Sequence, residues 1–199
     1  MLWPVLLRTD PLGASWSLGE RVSTRLRWLD EPGLPADLVL RHIGVRASPL
    51  IGADGQPWAQ LIEAGGLRAV REGHRGAGDL TLDGCLGHDA FLRLVGGLPV
   101  TAGIVRRVRV VHALYDRGAD GWIPSPGELR LTDVPDARPE HLRDDPDLDG
   151  PSAGAAPEPG TMVLLSPEEY FRIAYDRLPD QQWQAQGFLV DLDVVDGAS

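Results

Sequence analysis

The sequence predicts a mainly β fold, a small antiparallel barrel or sandwich with one or two short helices, over a single domain spanning residues 1–199. Three observations carry the prediction. Residues 21–29 alternate, with Val22, Thr24, Leu26 and Trp28 on one side and Arg21, Ser23, Arg25 and Arg27 on the other, the period of a half-buried strand. Residues 100–115 form a longer run of the same kind, rich in Val. With 24 Gly and 17 Pro, the chain also has little room for long helices.

Taken in order, residues 2–8 read as a first strand weakened by Pro4. A turn carrying Trp16 leads into the alternating strand 21–29. Residues 38–45 are apolar enough for another strand or a short helix. Trp58, Leu61, Ile62 and Leu67 fit a short helical face, which Gly65-Gly66 would end. Leu80 and Leu82 suggest a strand, and residues 88–95 a short helix capped by Asp89. The alternation in 100–115 is imperfect. Ile104, Arg106, Val108, Val110, His112 and Leu114 would form one side and Val105, Arg107, Arg109 and Val111 the other, with a bulge between. Pro126-Gly127 is a turn before a strand at 128–134. Residues 136–160 are acidic and rich in Pro, Ala and Gly, with almost no large apolar side chain, and read as a disordered loop. A short strand at 161–165 follows. Ser166-Pro167-Glu168-Glu169 then supplies an N-cap, a first-turn proline and acids suited to a helix dipole. Phe188, Val190, Leu192 and Val194 face inward from a closing strand, with Asp191 and Asp193 outward.

The chain contains no lysine and no asparagine; all 19 of its basic residues are arginine. Both missing residues use A-rich codons, the mark of a GC-rich genome. Without lysine there is no Walker phosphate loop and no Schiff-base chemistry. Without asparagine there is no N-glycosylation acceptor. The single Cys85 excludes an internal disulfide and an all-cysteine zinc site. No apolar run approaches the ~20 residues a membrane helix needs, and the first ten residues lack a signal peptide's basic start. The expected location is cytoplasmic, with no membrane partner. Net charge is −10, which opposes general nucleic-acid binding. The charge is uneven. Residues 1–117 carry 14 Arg and 12 Asp or Glu, a balance of +2, and residues 118–199 carry 5 Arg and 17 Asp or Glu, a balance of −12.

Few motifs carry chemistry. His74, Cys85 and His88 are the only cluster with metal-ligand character, and a Cys–His nucleophile pair is the other reading of the same residues. Asp145, Asp147 and Asp149 followed by Gly150 begin a calcium loop, but position twelve is Ala156 where a bidentate Glu is required. Gly150-Pro151-Ser152-Ala153-Gly154 matches the nucleophile-elbow string without the strand and helix that make it work. His42 and His112 sit on apolar strands and read as hydrogen-bonded structural histidines. Arg21, Arg25 and Arg27 share one face of a strand, and Arg106, Arg107 and Arg109 add charge on another. These make either a basic patch or a solvated face paired with the acidic C-terminal part. Trp58, Trp122 and Trp183 lie near turns or element ends, where tryptophan can anchor an interface.

Trp16-Ser17-Leu18-Gly19-Glu20-Arg21-Val22, the stretch from Gly103 to Tyr115, Pro124-Ser125-Pro126-Gly127 and Gly187-Phe188-Leu189-Val190-Asp191-Leu192 together resemble an actinobacterial family classed as a domain of unknown function. The resemblance implies a bacterial source and a compact β-rich domain, and it transfers no catalytic residue. The leading expectation is a non-enzymatic protein-interaction or binding module, with another protein as partner and no cofactor. The alternatives are a small metal-dependent or cysteine hydrolase using His74, Cys85 and His88, and an accessory subunit of a larger bacterial assembly.

Overall fold

The computed structural model describes residues 1–8, 15–30, 38–74, 76–88, 92, 97–118, 121–142 and 180–195. These form ten strands: β1 (Leu2–Arg8), β2 (Arg21–Thr24), β3 (Leu26–Leu29), β4 (Leu40–Ile51), β5 (Pro57–Ala64), β6 (Leu67–Glu72), β7 (Gly78–His88), β8 (Thr101–Gly118), β9 (Gly121–Val134) and β10 (Gln181–Val194). The mainly β expectation holds, in the form of a small closed barrel with additional strands. Five strands close on themselves in the order β7, β3, β6, β5, β4 and back to β7. A second group, β2, β8, β10 and β1, continues from β7, and β9 lies beside β8. Among the described residues, no helix is long and apolar enough to cross a membrane.

Alternation builds the core. Val5 and Leu7, Val22, Leu26 and Trp28, Val45 and Ala47, Leu82 and Leu86, Val108 and Val110, and Phe188, Val190 and Leu192 join one buried cluster with Trp3, Ile62, Leu67, Ala69 and Val105. The alternating run 21–29 is shared between the two groups. Its first half, β2, pairs with β8, and its second half, β3, pairs with β6 and β7. The same inward face continues across Arg25, so one stretch of chain joins sheet to barrel without losing its pattern.

Three local readings are corrected. Residues 57–72 are a β-hairpin rather than a short helix, with β5 and β6 in register from Ala64↔Leu67 to Ala59↔Glu72. The connecting Gly65 and Gly66 both have positive φ, 50° and 82°, as the tightest hairpin turns require. Trp58, Leu61 and Ile62 have helical spacing only by coincidence, because the strand carries apolar side chains on both faces. In β8, the register against β10 skips from Leu192↔Val105 to Asp191↔Arg107. Arg106 is the bulged residue, so Val105 and Val108 face the same core instead of opposite sides. The third concerns the two histidines. A bulge in β4 sets Arg41 and His42 opposite Asp83, with His42 at φ 55° and its side chain 82% exposed. His112 is buried, and neither ring nitrogen has a hydrogen-bond partner among the described residues.

The expected strand 161–165 and the helix begun by Ser166 lie outside the described residues, as do 143–160 of the expected acidic loop. Its first residues, 136–142, are placed. Asp136 bridges Ser17, Ala137 donates its N–H to the Trp16 carbonyl, and Pro139–His141 form one 3-10 turn.

Sheet and barrel are stitched by one fully buried hydroxyl. Thr101 Oγ1, at the start of β8, accepts the Arg68 N–H at 2.8 Å and donates to the Arg68 carbonyl at 2.7 Å. It thereby stands in for a neighbouring strand at the β6 backbone. Thr101→Val keeps the shape but leaves both Arg68 groups unpaired in the interior, so it is expected to cost about 2–4 kcal/mol. Thr101→Ser, which keeps the hydroxyl, is expected to cost about 1 kcal/mol. Urea unfolding of the two variants checks the difference, and equal losses would contradict the role given to the hydroxyl.

Candidate functional site

The three residues expected to ligate a metal are held apart in function by the strands that carry them. Cys85 is buried in β7 opposite Leu29. His88, at the end of the same strand, packs edge-on against Trp16 with ring centroids 5.6 Å apart. His74 follows β6, and its Nε2 lies 3.1 Å from Asp30 Oδ2. Among the described residues, no group of three or more His, Cys, Asp or Glu side chains could hold a metal ion. The calcium-like Asp145, Asp147 and Asp149 lie outside the described residues.

His74 instead joins a network that sequence reasoning missed. Asp30, just past β3, accepts two bonds from Arg71 Nε at 2.8 and 3.0 Å, and Arg71 Nη2 stands 2.8 Å from Oδ1. Arg71 Nη1 donates to Gln60 Oε1 at 3.3 Å, and Gln60 Nε2 donates to the Gly76 carbonyl at 2.8 Å. Gln60 is a buried amide with both ends satisfied, as burial of a polar group demands. The network ties the end of β3 to β5 and β6. Its carboxylate is occupied by Arg71, so the His74–Asp30 pair is part of an ion-pair network. A shallow hollow of about 450 Å³ lies elsewhere, lined by Gly44, Val45, Arg46, Asp79, Leu80 and Thr81, and contains none of the expected site residues.

The arginines resolve into pairs. Arg106 meets Asp193 at 2.7 Å, Arg107 meets Asp133 at 2.6 Å and Arg109 meets Asp191 at 2.6 Å. The acids come from β9 and β10, so these arginines are matched by the acidic C-terminal part. Arg27 pairs with Glu72 at 3.0 Å, Arg25 donates to the Leu98 carbonyl at 3.3 Å, and Arg21 is exposed on β2.

The tryptophans divide between barrel and arm. Trp58 is half-buried against the small cluster of Ala59, Val70, Leu92 and Leu98. Trp122 and Trp183 belong to a three-stranded arm, in which residues 113–118 of β8 pair with β9 on one side and with the start of β10 on the other. Trp183 is half-buried, and the Arg130 guanidinium lies 4.8 Å from its ring centroid. Such a cation–π contact reaches across the sheet from β9 to β10. On the same strand as Arg130, Ile123 is 59% exposed on the face of Trp183 and Leu131 is 36% exposed on the other face. Asp116 in the arm accepts hydrogen bonds from the Ser125 hydroxyl and the Gln181 amide. β9 has β8 as its one strand neighbour among the described residues.

No family model matches the chain, and no curated protein or solved structure matches it.

Two outcomes follow from this placement. The Cys85 thiol is expected to react with a thiol reagent slowly in the folded protein and fully after unfolding, because the side chain is buried. Rapid stoichiometric labelling of folded protein would contradict that burial. Three aspartates are also held below the ordinary carboxylate range: Asp116 chiefly by the Ser125 hydroxyl, Asp133 by Arg107 and Asp136 by Arg138. Their contribution is complete above the unfolded aspartate value, near 3.8, and is lost as pH falls through the lower folded values. Urea midpoints measured from pH 6 down to pH 2 are expected to fall over the acid limb, less steeply in Asp136→Asn. An identical acid limb in that variant would remove Asp136 from the account.

Proposed function

We propose that this protein is a non-enzymatic protein-interaction module and that its contact surface is the arm formed by β9 with the adjoining ends of β8 and β10. The observation that carries this reading is the 14-residue strand β9, which presents exposed Ile123 and Leu131 beside an edge with no second strand among the described residues. Ile123 lies on the face of Trp183 and Leu131 on the opposite face, so the strand offers exposed apolar side chains, of the kind protein contact surfaces use, to a partner on either side of the arm. The rest of the described surface supports the same reading. Its arginines are largely paired with acids, and the histidine with the most network support, His74, is tied into a barrel-closing contact. The hydrolase reading has less behind it, because it needs Cys85 accessible and near a histidine base.

The test is site-specific photo-crosslinking of the full chain in its native host. A crosslinker placed at Ile123 or Leu131 is expected to yield a discrete higher-mass adduct. The same group at Ile51, an exposed apolar residue on the barrel, is expected to give none. Adducts from Ile51 alone, or from no position, would overturn the assignment of the arm.

A further inference from the structure

We infer that the face of the arm bearing Ile123 receives an arginine side chain of a partner protein, with Asp116 as its counter-ion and Ile123 as the apolar contact beside it. This step rests on the interaction-module reading and specifies the partner's chemistry. The strand register places the parts. Asp116 of β8 stands opposite Ile123 of β9 on one side and Gln181 of β10 on the other, and directly opposed residues share a face of the sheet. Asp116 and Ile123 are both exposed on that face. The carboxylate is fixed in place without being neutralised. Asp116 Oδ2 accepts the Ser125 hydroxyl at 2.5 Å, and Oδ1 accepts the Gln181 amide at 2.9 Å. Both donors are neutral, and they come from the strands on either side. Asp30, Asp133, Asp191 and Asp193 each meet an arginine instead. Asp116 has no arginine or histidine partner among the described residues. The Ser125 hydroxyl chiefly, and the Gln181 amide after it, hold its carboxyl below the ordinary carboxylate range, so the charge is present at neutral pH.

The carboxylate's remaining capacity selects the occupant. A carboxylate oxygen accepts two hydrogen bonds, and each oxygen of Asp116 has one in use, so one place remains on each. A guanidinium fork fills both places at once, whereas an ammonium is a single point of charge. Arg130 on β9 leans over the Trp183 ring, 4.8 Å from its centroid, and not on Asp116. Ile123 completes the pattern, because a partner presenting arginine beside an apolar residue buries both against the arm. A second copy of the chain is a poorer occupant. Each copy carries a net charge of −10, and two such copies repel.

The experiment titrates the full chain by NMR with acetyl-Leu-Arg-amide, with its citrulline analogue, which keeps the shape but loses the charge, and with acetyl-Leu-Glu-amide. The arginine peptide is expected to shift the amide signals of Asp116, Ile123 and Gln181. The citrulline analogue is expected to bind at least about tenfold more weakly, and the glutamate peptide not at all. Asp116→Asn is expected to remove the preference for arginine over citrulline. Glu128→Gln, which removes an equal charge from an exposed position on the same strand, is expected to keep it. Ile123→Ser is expected to weaken the arginine peptide without abolishing that preference. Equal binding of the arginine and citrulline peptides, shifts that map away from the arm, or no binding of the arginine peptide would overturn the proposal. So would concentration-dependent self-association that Asp116→Asn abolishes, because it would assign the carboxylate to a second copy. The arginine–citrulline comparison is made on the unchanged protein, so it decides the matter even where Asp116→Asn disturbs the arm. None of these results removes the arm as a contact surface, since crosslinking at Ile123 and Leu131 reports a neighbour of any charge.

Discussion

The barrel closes through its shortest ladder. β3 and β6 run parallel and share two register pairs, Leu26↔Ala69 and Arg27↔Val70. Two residue pairs are too few to hold a strand interface against the entropy of ordering both strands. Side chains therefore reinforce the seam along its length. Asp30 receives Arg71 and lies against His74, Arg27 meets Glu72, and Thr101 supplies both bonding partners of the Arg68 backbone. The Asp30–Arg71 contact is the most sheltered of the ion pairs at this seam, with the Arg71 side chain 14% exposed, and its two-pronged geometry constrains direction as well as distance. Without these contacts β3 would have β7 as its remaining neighbour, and the ring would open.

From that seam the rest of the architecture follows. β3 is continuous in pattern with β2, so fixing β3 in the barrel also fixes where β2 meets β8. β8 is 18 residues long, far more than its pairing with β2 uses. Its first part lies against β2, its middle packs core residues with β10, and its last part runs on into the arm. Gly103 in β8 and Gly84 in β7 mark close approaches, one in the sheet and one in the barrel. A Cβ at Gly103 would stand 2.7 Å from the Leu192 side chain, and one at Gly84 would stand 2.6 Å from Trp28 Nε1. Such distances require that the backbone itself approach, which glycine alone permits. The bulge at Arg106 lets one strand serve both regions. It turns two successive arginines to the surface and resets the phase so that core residues resume at Val108.

Much of this was legible in sequence, and the failures have physical causes. The runs 21–29 and 187–194 show their period because one face meets core and the other meets water. In 57–72 both faces meet protein: Ile62 joins the main cluster while Ala59 and Val70 join another. Alternation is then hidden, and chance spacings of three and four imitate a helix. The bulge in β8 was visible as a fault in the pattern, but its position was not, because Arg106 and Arg107 are adjacent and alike. His74 was singled out from its neighbours in sequence, and its actual partner, Asp30, lies 44 residues away. Nothing local announces such a contact. The same holds for the arginine–aspartate pairs, whose existence the charge imbalance implied but whose partners only the register of β8 against β9 and β10 could assign.

The location of the proposed contact surface is a consequence of the barrel as much as of the arm. A β protein must dispose of its strand edges, and closure removes those of the ring. β1 is covered on both sides by β7 and β10, and β10 by β1 and β8. The outer side of β8 is occupied by β2, by Gly19 and Glu20, whose backbones bond to Val105, and by β9. Each pairing passes the edge problem outward, and among the described residues it stops at β2 and β9, each of which has β8 as its one strand neighbour. In β9 the chain uses proline in one half and leaves the other half regular. The two halves of β9 are thus built differently, and the proposed contact surface lies on one of the two strands where the pairing of described residues ends.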